Sequence, residues 1–188
     1  MSPSGRFRFQ PVTQATLDDL ETFSQANGKF RYCSCMRWRL TSSDYKRSTK
    51  DERIAELQRR VRAAEPVGVL AYAGGRPVGW CSVAPRETYA ALERNRALAR
   101  IDDTPVWSVV CFFVARDARR AGLTSRMLRA ATEYAKSMGA HAVEGYPVEP
   151  GPRLYTYMGS PDAFTRNGYR DVTPAGRDRL VVRRGFRR

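Results

Sequence analysis

Histidine occurs once in these 188 residues, at position 141, and cysteine four times, at positions 33, 35, 81 and 111. A closed zinc site needs four nitrogen or sulfur ligands, usually supplied as two pairs. Cys33 and Cys35 form one Cys-x-Cys pair with no second pair to complete it, so no metal is expected. Four cysteines are also too few for a disulfide scaffold in a chain of this size, and Cys81 and Cys111, inside apolar stretches, read as small core residues. No apolar run approaches the ~20 residues that span a bilayer, and the opening MSPSGRFRFQPVTQ has no apolar signal core. No membrane partner and a cytoplasmic location are therefore expected. Repeats, low-complexity tracts and linkers are missing too, which leaves one domain over residues 1–188, within the ~100–200 residues common for single domains.

Acidic residues are scarce relative to basic ones: 19 Asp and Glu against 33 Lys and Arg, for a formal net charge of +14. Such an excess favours an anionic partner. A polyphosphate cofactor, an acidic small substrate, RNA and DNA all satisfy it. The charge clusters near the C-terminus, where Arg177, Arg179, Arg183, Arg184, Arg187 and Arg188 fall within twelve residues.

Residues 106–114, VWSVVCFFV, carry no charge and are apolar, β-branched or aromatic almost throughout, the composition of a central strand covered on both faces. A basic turn follows, and from Leu123 the apolar spacing becomes helical, with Met127, Ala131, Tyr134, Ala135 and Met138 on one face and Gly139 as the stop. A helix opening from a strand leaves unpaired N–H groups where its dipole also favours negative charge, which makes a phosphate site. Gly122 lets the backbone approach an anion, Arg119 and Arg120 add charge, and Thr124 and Ser125 offer hydroxyls. An ordinary connection with solvated arginines fits the same residues.

Around this unit, strands are expected at residues 7–9, 67–72, 76–84, 141–148, 169–172 and 179–182, the second and third forming a hairpin on Gly74-Gly75. The strand at 141–148 is expected to run parallel to the central one. Helices are expected from Leu17 to a stop at Gly28, with Thr16 and Asp19 in a capping relation, and at residues 50–64, 89–98 and 161–167. Residues 29–40, KFRYCSCMRWRL, show no clean period and either line a pocket or plug the core.

This order of elements, with Arg119-Arg120-Ala121-Gly122-Leu123-Thr124 opening a helix after a buried strand and Phe164 to Tyr169 (FTRNGY) closing a late one, resembles the GNAT N-acetyltransferases over nearly the whole chain. Within that family the chain looks like a subgroup with a Cys-x-Cys-Met-x-x-Arg segment and a Pro-Val-Trp-Ser-Val central strand. The resemblance implies an α/β fold with a mixed, mostly antiparallel sheet, helices on both faces, and acetyl-CoA held between a splayed parallel strand pair. It places the pantetheine arm along Phe112, Phe113 and Val114. The pyrophosphate falls on the backbone of Arg119, Arg120, Ala121, Gly122, Leu123, Thr124 and Ser125, with Phe164 also beside the cofactor. In many family members a tyrosine at the Phe164 position is the general acid, a role phenylalanine cannot take.

Direct transfer to an amine needs a polarised thioester carbonyl, a neutral amine and a proton for the departing thiolate. A backbone N–H near Phe113 or Val114 can polarise the carbonyl. Glu144, in the strand facing the central one, is the first candidate base; Glu149, Asp102 and Asp103 rank below it. Tyr157, Tyr155 or Tyr146 can supply the acid. The acceptor pocket is assigned to Tyr32, Cys35, Arg37 and Trp38, with Arg37 suited to a carboxylate or phosphate on the acceptor. The reading that follows is transfer to a primary amine of a small molecule. Two alternatives stay open: acetylation of aminoacyl-tRNA or a protein amine, and a non-enzymatic module that binds nucleic acid through the basic C-terminus. A homodimer also stays open.

Overall fold

The computed structural model describes residues 7–149 and 156–186. In chain order the elements are β1 (Arg8–Pro11), α1 (Leu17–Ala26), α2 (Gly28–Cys33), α3 (Met36–Arg39), α4 (Ser42–Arg47), α5 (Lys50–Arg62), β2 (Val69–Ala73), β3 (Arg76–Pro85), α6 (Ala90–Glu93), β4 (Val106–Val114), α7 (Leu123–Ser137), β5 (Ala142–Gly145), α8 (Pro161–Thr165), β6 (Arg170–Asp171) and β7 (Val182–Gly185). Among these residues no helix is long and apolar enough to cross a membrane.

The seven strands make one sheet in the order β1-β2-β3-β4-β5-β7-β6. Only β4 and β5 are parallel; every other neighbouring pair is antiparallel. Both faces of β4 are covered, as its uncharged and largely apolar sequence requires. On one face α7 lays Met127, Leu128, Ala131 and Ala135 against Val83, Val109 and Val143. On the other, α1, α2 and α5 contribute Leu20, Phe23, Phe30, Leu57 and Val61 to a cluster around Trp80. A third cluster under α3 and α6 joins Trp38, Tyr89 and Leu92 to Val110 and Tyr146.

Several boundaries differ from those the sequence suggests, each for a local reason. The capping box ahead of α1 joins Thr13 and Thr16, not Thr16 and Asp19, and α1 ends at Asn27, whose Nδ2 donates to the Phe23 carbonyl (2.8 Å). Gly28 opens α2 instead of ending α1. The helix expected over residues 89–98 breaks because Asn95 Oδ1 accepts from the Ala97 N–H (3.0 Å), which diverts that amide from a helical partner. Met138 lies beyond the last turn of α7 and is half exposed, so it leaves the buried face. β5 ends at Gly145, two residues before Pro147, which has no N–H to extend a ladder. The last strand forms at Val182–Gly185, three residues later than its apolar pattern indicates.

Gly145 is required by packing. A Cβ there would stand 2.1 Å from Cε1 and 2.4 Å from Cζ of Phe164, a ring with no exposure. Gly145→Ala should therefore cost about 1–3 kcal/mol, the usual penalty for overpacking a filled core. Chemical denaturation would read this as a lower midpoint at unchanged slope; a midpoint equal to that of the parent would show that Phe164 has room to move.

Candidate functional site

The site begins where β4 loses its neighbour. β5 pairs with β4 only from Val106↔Ala142 to Val109↔Gly145, so the last five residues of β4 have an uncovered edge. On the other side β4 stays paired to β3 through Gly79↔Val114, with an irregularity between Ser82 and Val83. Hydrogen bonding alternates along an antiparallel ladder, and the Ala115 N–H donates to the Val78 carbonyl (2.9 Å). The Phe113 N–H therefore faces β3, and the Phe112 and Val114 N–H groups face the uncovered edge. Of the two expected carbonyl donors, the Val114 N–H thus faces the uncovered edge, beside that of Phe112, and the Phe113 N–H does not.

Beyond β4 the chain makes a short 3-10 turn at Arg116–Ala118 and enters α7 through two left-handed residues, Arg120 (φ 63°) and Gly122 (φ 67°). Glycine adopts this conformation without the steric cost a side chain brings. The first intrahelical bond runs from the Arg126 N–H to the Gly122 carbonyl (3.4 Å), which leaves the N–H groups of Leu123, Thr124 and Ser125 without helical partners. No side chain caps them, and no acidic residue stands in the first turn to offset the dipole. Arg119 is oriented by its own strand, its Nε donating to the Val114 carbonyl (3.1 Å). Ser125 Oγ accepts from Asn167 Nδ2 (2.8 Å), which ties this turn to the end of α8.

A cavity of about 770 Å³ opens along this edge and turn. Phe112, Phe113 and Val114 form one wall, and Arg119, Arg120, Gly122, Leu123, Thr124 and Ser125 form another. Lys29, Tyr157 and Ser160 border it from elements distant in sequence. Unpaired amides, two arginines and an apolar wall fit a ligand that joins a phosphate to an acyl-bearing arm. Two expected members stand apart: Ala121 does not line the cavity, and Phe164 is fully buried, its ring 5.0 Å from Tyr169 and 6.2 Å from Phe112. Phe164 holds the wall from behind instead of meeting a ligand.

A second cavity, about 320 Å³, shares Lys29, Phe112, Phe113 and Tyr157 with the first. Its remaining walls come from α2, α3 and α4, through Cys33, Cys35, Arg37, Trp38 and Tyr45, with Cys111 from β4. Two consecutive left-handed residues, Ser34 (φ 45°) and Cys35 (φ 53°), turn α2 into α3; strain of this kind concentrates at functional positions. Trp80 Nε1 donates to Cys35 Sγ (2.8 Å). Burial pushes the Cys35 thiol up, but hydrogen bonds from Cys111 and Trp80, with the Arg39 charge, outweigh it and leave the thiol below its ordinary value. Tyr45 is pushed up to about 12 by burial and then by Cys33, so it stays a neutral hydroxyl.

Tyr157 thus lies where the two cavities meet, and Cys35, Arg37 and Trp38 line the second. Tyr32 does not: it is 62% exposed, with the Arg53 guanidinium 4.9 Å from its ring centroid. Tyr155 falls outside the described residues. Sequence reasoning missed Tyr45 and Cys111 as wall residues, the first because residues 41–49 carry no apolar period and the second because a strand cysteine looks like core.

Glu144 is corrected outright as a base. It lines neither cavity and is 1% exposed. Oε2 accepts from Arg86 Nη1 (3.2 Å) and the Tyr146 hydroxyl (3.0 Å), and Oε1 from Arg183 Nε (3.0 Å) and Nη2 (2.7 Å). With these four bonds no lone pair is left to receive a substrate proton. Tyr146, bound also to Ser108 Oγ (2.8 Å), belongs to the same internal network and leaves the list of acids. Asp102 pairs with Arg183 (2.7 Å) and leaves the list of bases.

The C-terminal arginines are likewise spent inside the fold. Arg177 donates to the Ala99 carbonyl (2.5 Å), Arg179 to Met158 Sδ (3.5 Å), and Arg184 to the Asn167 carbonyl (3.1 Å), beside the Arg183 pairs already given. Arg187 and Arg188 lie outside the described residues. Arg183 is ion-paired to Asp102 and Glu144 and Arg184 to Glu133, so part of the charge on which a nucleic-acid surface at this end was based is offset within the fold.

The geometry agrees with comparisons to known proteins. Residues 32–157, about two thirds of the chain, match the family model described as the acetyltransferase (GNAT) family. No curated protein matches the sequence. Among solved structures, the polyamine N-acetyltransferase of Drosophila melanogaster has a TM-score of 0.59 at 13% identity, with 96% of this chain and 100% of that one covered. The ribosomal-protein-alanine N-acetyltransferase of Brucella melitensis gives 0.55 at 18%, covering 95% and 99%. The PaiA N-acetyltransferase of Thermoplasma acidophilum, in complex with coenzyme A, gives 0.52 at 10%, covering 97% and 100%. At these identities the solved structures speak to the fold alone, and the family match carries the rest: the chain belongs to the GNAT acetyltransferases and is an acyltransferase whose acetyl donor is acetyl-CoA.

Proposed function

We propose that this enzyme transfers acetyl directly to the primary amine of a small molecule. The observation that carries the reading is the meeting of two cavities at Lys29, Phe112, Phe113 and Tyr157, one with the features of a phosphate-bearing arm's site and the other small and mostly apolar. At about 320 Å³ the second suits a small acceptor. In the first, the N–H groups of Leu123, Thr124 and Ser125, with Arg119 and Arg120, hold the pyrophosphate. Acetyl-CoA, when bound, supplies the thioester. The Phe112 and Val114 N–H groups donate to its carbonyl oxygen and stabilise the negative charge that develops there during attack. Tyr157 would give its hydroxyl proton to the departing thiolate sulfur and be restored by the proton that the attacking nitrogen loses, so that amine and thioester become amide and thiol.

No carboxylate lines the acceptor cavity among the described residues. Apolar walls, with Lys29 and Arg37 among them, disfavour an ammonium ion and so favour the neutral amine. The expected rate law follows: below the amine's own pKa, kcat/KM rises about tenfold per pH unit, because each unit raises the reactive fraction about tenfold. A profile governed by an enzyme group near pH 5, the same for acceptors of different pKa, would overturn it. Tyr157→Phe should lower kcat by about 10²-fold, within the range for general acids, with the KM for acetyl-CoA little changed.

The first test is thermal melting with and without acetyl-CoA, followed by thiol release across small amines, aminoacyl-tRNA and basic peptides. A ligand that binds only the folded state raises the melting temperature. Release with a small amine supports the reading; release only with aminoacyl-tRNA or peptides replaces it.

A further inference from the structure

A third cavity, about 510 Å³, lies where α3 packs on α6 and adjoins the acceptor cavity through Arg37 and Trp38, which line both. Its chemistry differs from that of its neighbour. Arg37, Arg94 and Arg96 all line it, no carboxylate does, and none of the three has an ion-pair partner among the described residues. The nearby Asp44 is engaged by the Thr41 hydroxyl (2.6 Å) and Arg47 (2.6 Å), and Arg94 acts on it only through space, as the last of its influences. Arg94 and Arg96 are held by the Asn95 cap described above, and Arg37 rides on α3 beside the buried Trp38. Trp38 is 9% exposed, and its indole N–H has no hydrogen-bond partner among the described residues. Ser42 and Ser43 add hydroxyls to the wall.

Three unpaired arginines around one space repel one another unless an anion joins them, and a guanidinium fork matches a carboxylate or phosphate geometrically. A buried donor left without a partner is a further departure from how folded proteins spend their polar groups. We infer that this cavity binds an acidic group, carboxylate or phosphate, carried by the acetyl acceptor, whose amine end occupies the neighbouring acceptor cavity. The inference rests on the acetyltransferase reading and narrows it to amines with an anionic tail. A polycationic amine is a poor fit to the same surface.

Matched acceptors test this. 4-Aminobutyrate against n-butylamine probes a carboxylate, and O-phosphoethanolamine against ethanolamine probes a phosphate. In at least one pair the acidic member should have a kcat/KM higher by about tenfold or more, as expected for charge-assisted hydrogen bonds. R94A/R96A should bring that ratio close to one, and R94E/R96E should invert it, two variants of exposed residues that keep the test independent of either one's folding. Neutral members used as well as acidic ones in both pairs, or a preference that survives R94A/R96A, would overturn the inference while leaving amine acetylation standing. A second readout needs no turnover. With coenzyme A saturating, so that the pyrophosphate turn is filled, inorganic phosphate should raise the melting temperature of the parent enzyme and not of R94A/R96A; equal shifts in both count against the cavity. If no amine releases coenzyme A, the transferase reading fails, and the phosphate titration still decides this one.

Discussion

Glu144→Ala is expected to cost about 3–5 kcal/mol of folding stability, the penalty for stranding a buried charge. Arg86 and Glu144 have side chains only 1% and 2% exposed. The Arg86 guanidinium is placed by four partners: Glu93 (2.7 Å), Glu144 (3.2 Å), Tyr146 (2.8 Å) and the Leu98 carbonyl (2.6 Å). Ser108, Glu144 and Arg183 are register partners across β4, β5 and β7, so the network braces the only parallel pair just before it splays. Removing the carboxylate leaves Arg86 and Arg183 facing each other without it. A domain of this size loses ~2–4 °C of Tm per kcal/mol, so melting should fall by roughly 10 °C. Activity per folded molecule should stay within a few-fold of the parent, measured well below the new Tm. A parent-like Tm with a thousandfold rate loss would restore Glu144 as the base.

The network also sets an acid limit. Asp102 is held below its ordinary range by the Arg183 hydrogen bonds, and then by Thr104. The unfolded chain therefore takes up this proton first as pH falls, so the stability the pair supplies is present above the ordinary carboxylate range and is lost on acidification.

Replacing both arginines of the turn, Arg119→Ala with Arg120→Ala, is expected to raise the KM for acetyl-CoA about a hundredfold. Each hydrogen bond to a charged group contributes ~1.5–3 kcal/mol, and about 1.4 kcal/mol is tenfold in affinity. The helix amides remain in the double variant, and both side chains are exposed to screening solvent, so the low end of that sum applies. Because the pyrophosphate is remote from the reacting carbonyl, the loss should fall on binding and leave kcat nearly unchanged. Raised salt should weaken cofactor binding by the parent enzyme more than by the variant. An unchanged KM would show that the backbone amides alone hold the phosphates.

The two halves of the site were unequally legible. β4, the turn and α7 follow one another within 32 residues, and each step there leaves a local mark: β4 an uncharged and largely apolar strand, the turn a glycine at a left-handed position, and α7 a change of period. The acceptor side joins α2, α3 and α4 to Cys111 and Tyr157, contacts without a period to announce them. The basic excess pointed to an anion correctly in kind. It misled in place, since the C-terminal arginines turn inward, Arg183 and Arg184 to carboxylates and Arg177 to a carbonyl, while Arg37, Arg94 and Arg96 line one cavity.

The sequence by itself determined the central strand and the glycine-containing turn that opens α7, because each depends on residues adjacent in the chain, and the order of elements carried the family. Only the tertiary structure decided what Glu144 does. Strand alternation leaves the covered face open, and its partner Arg86 lies 58 residues away. The tertiary structure also decided which arginines gather around one cavity without ion-pair partners, because placement is settled by which distant segments the sheet and helices bring together.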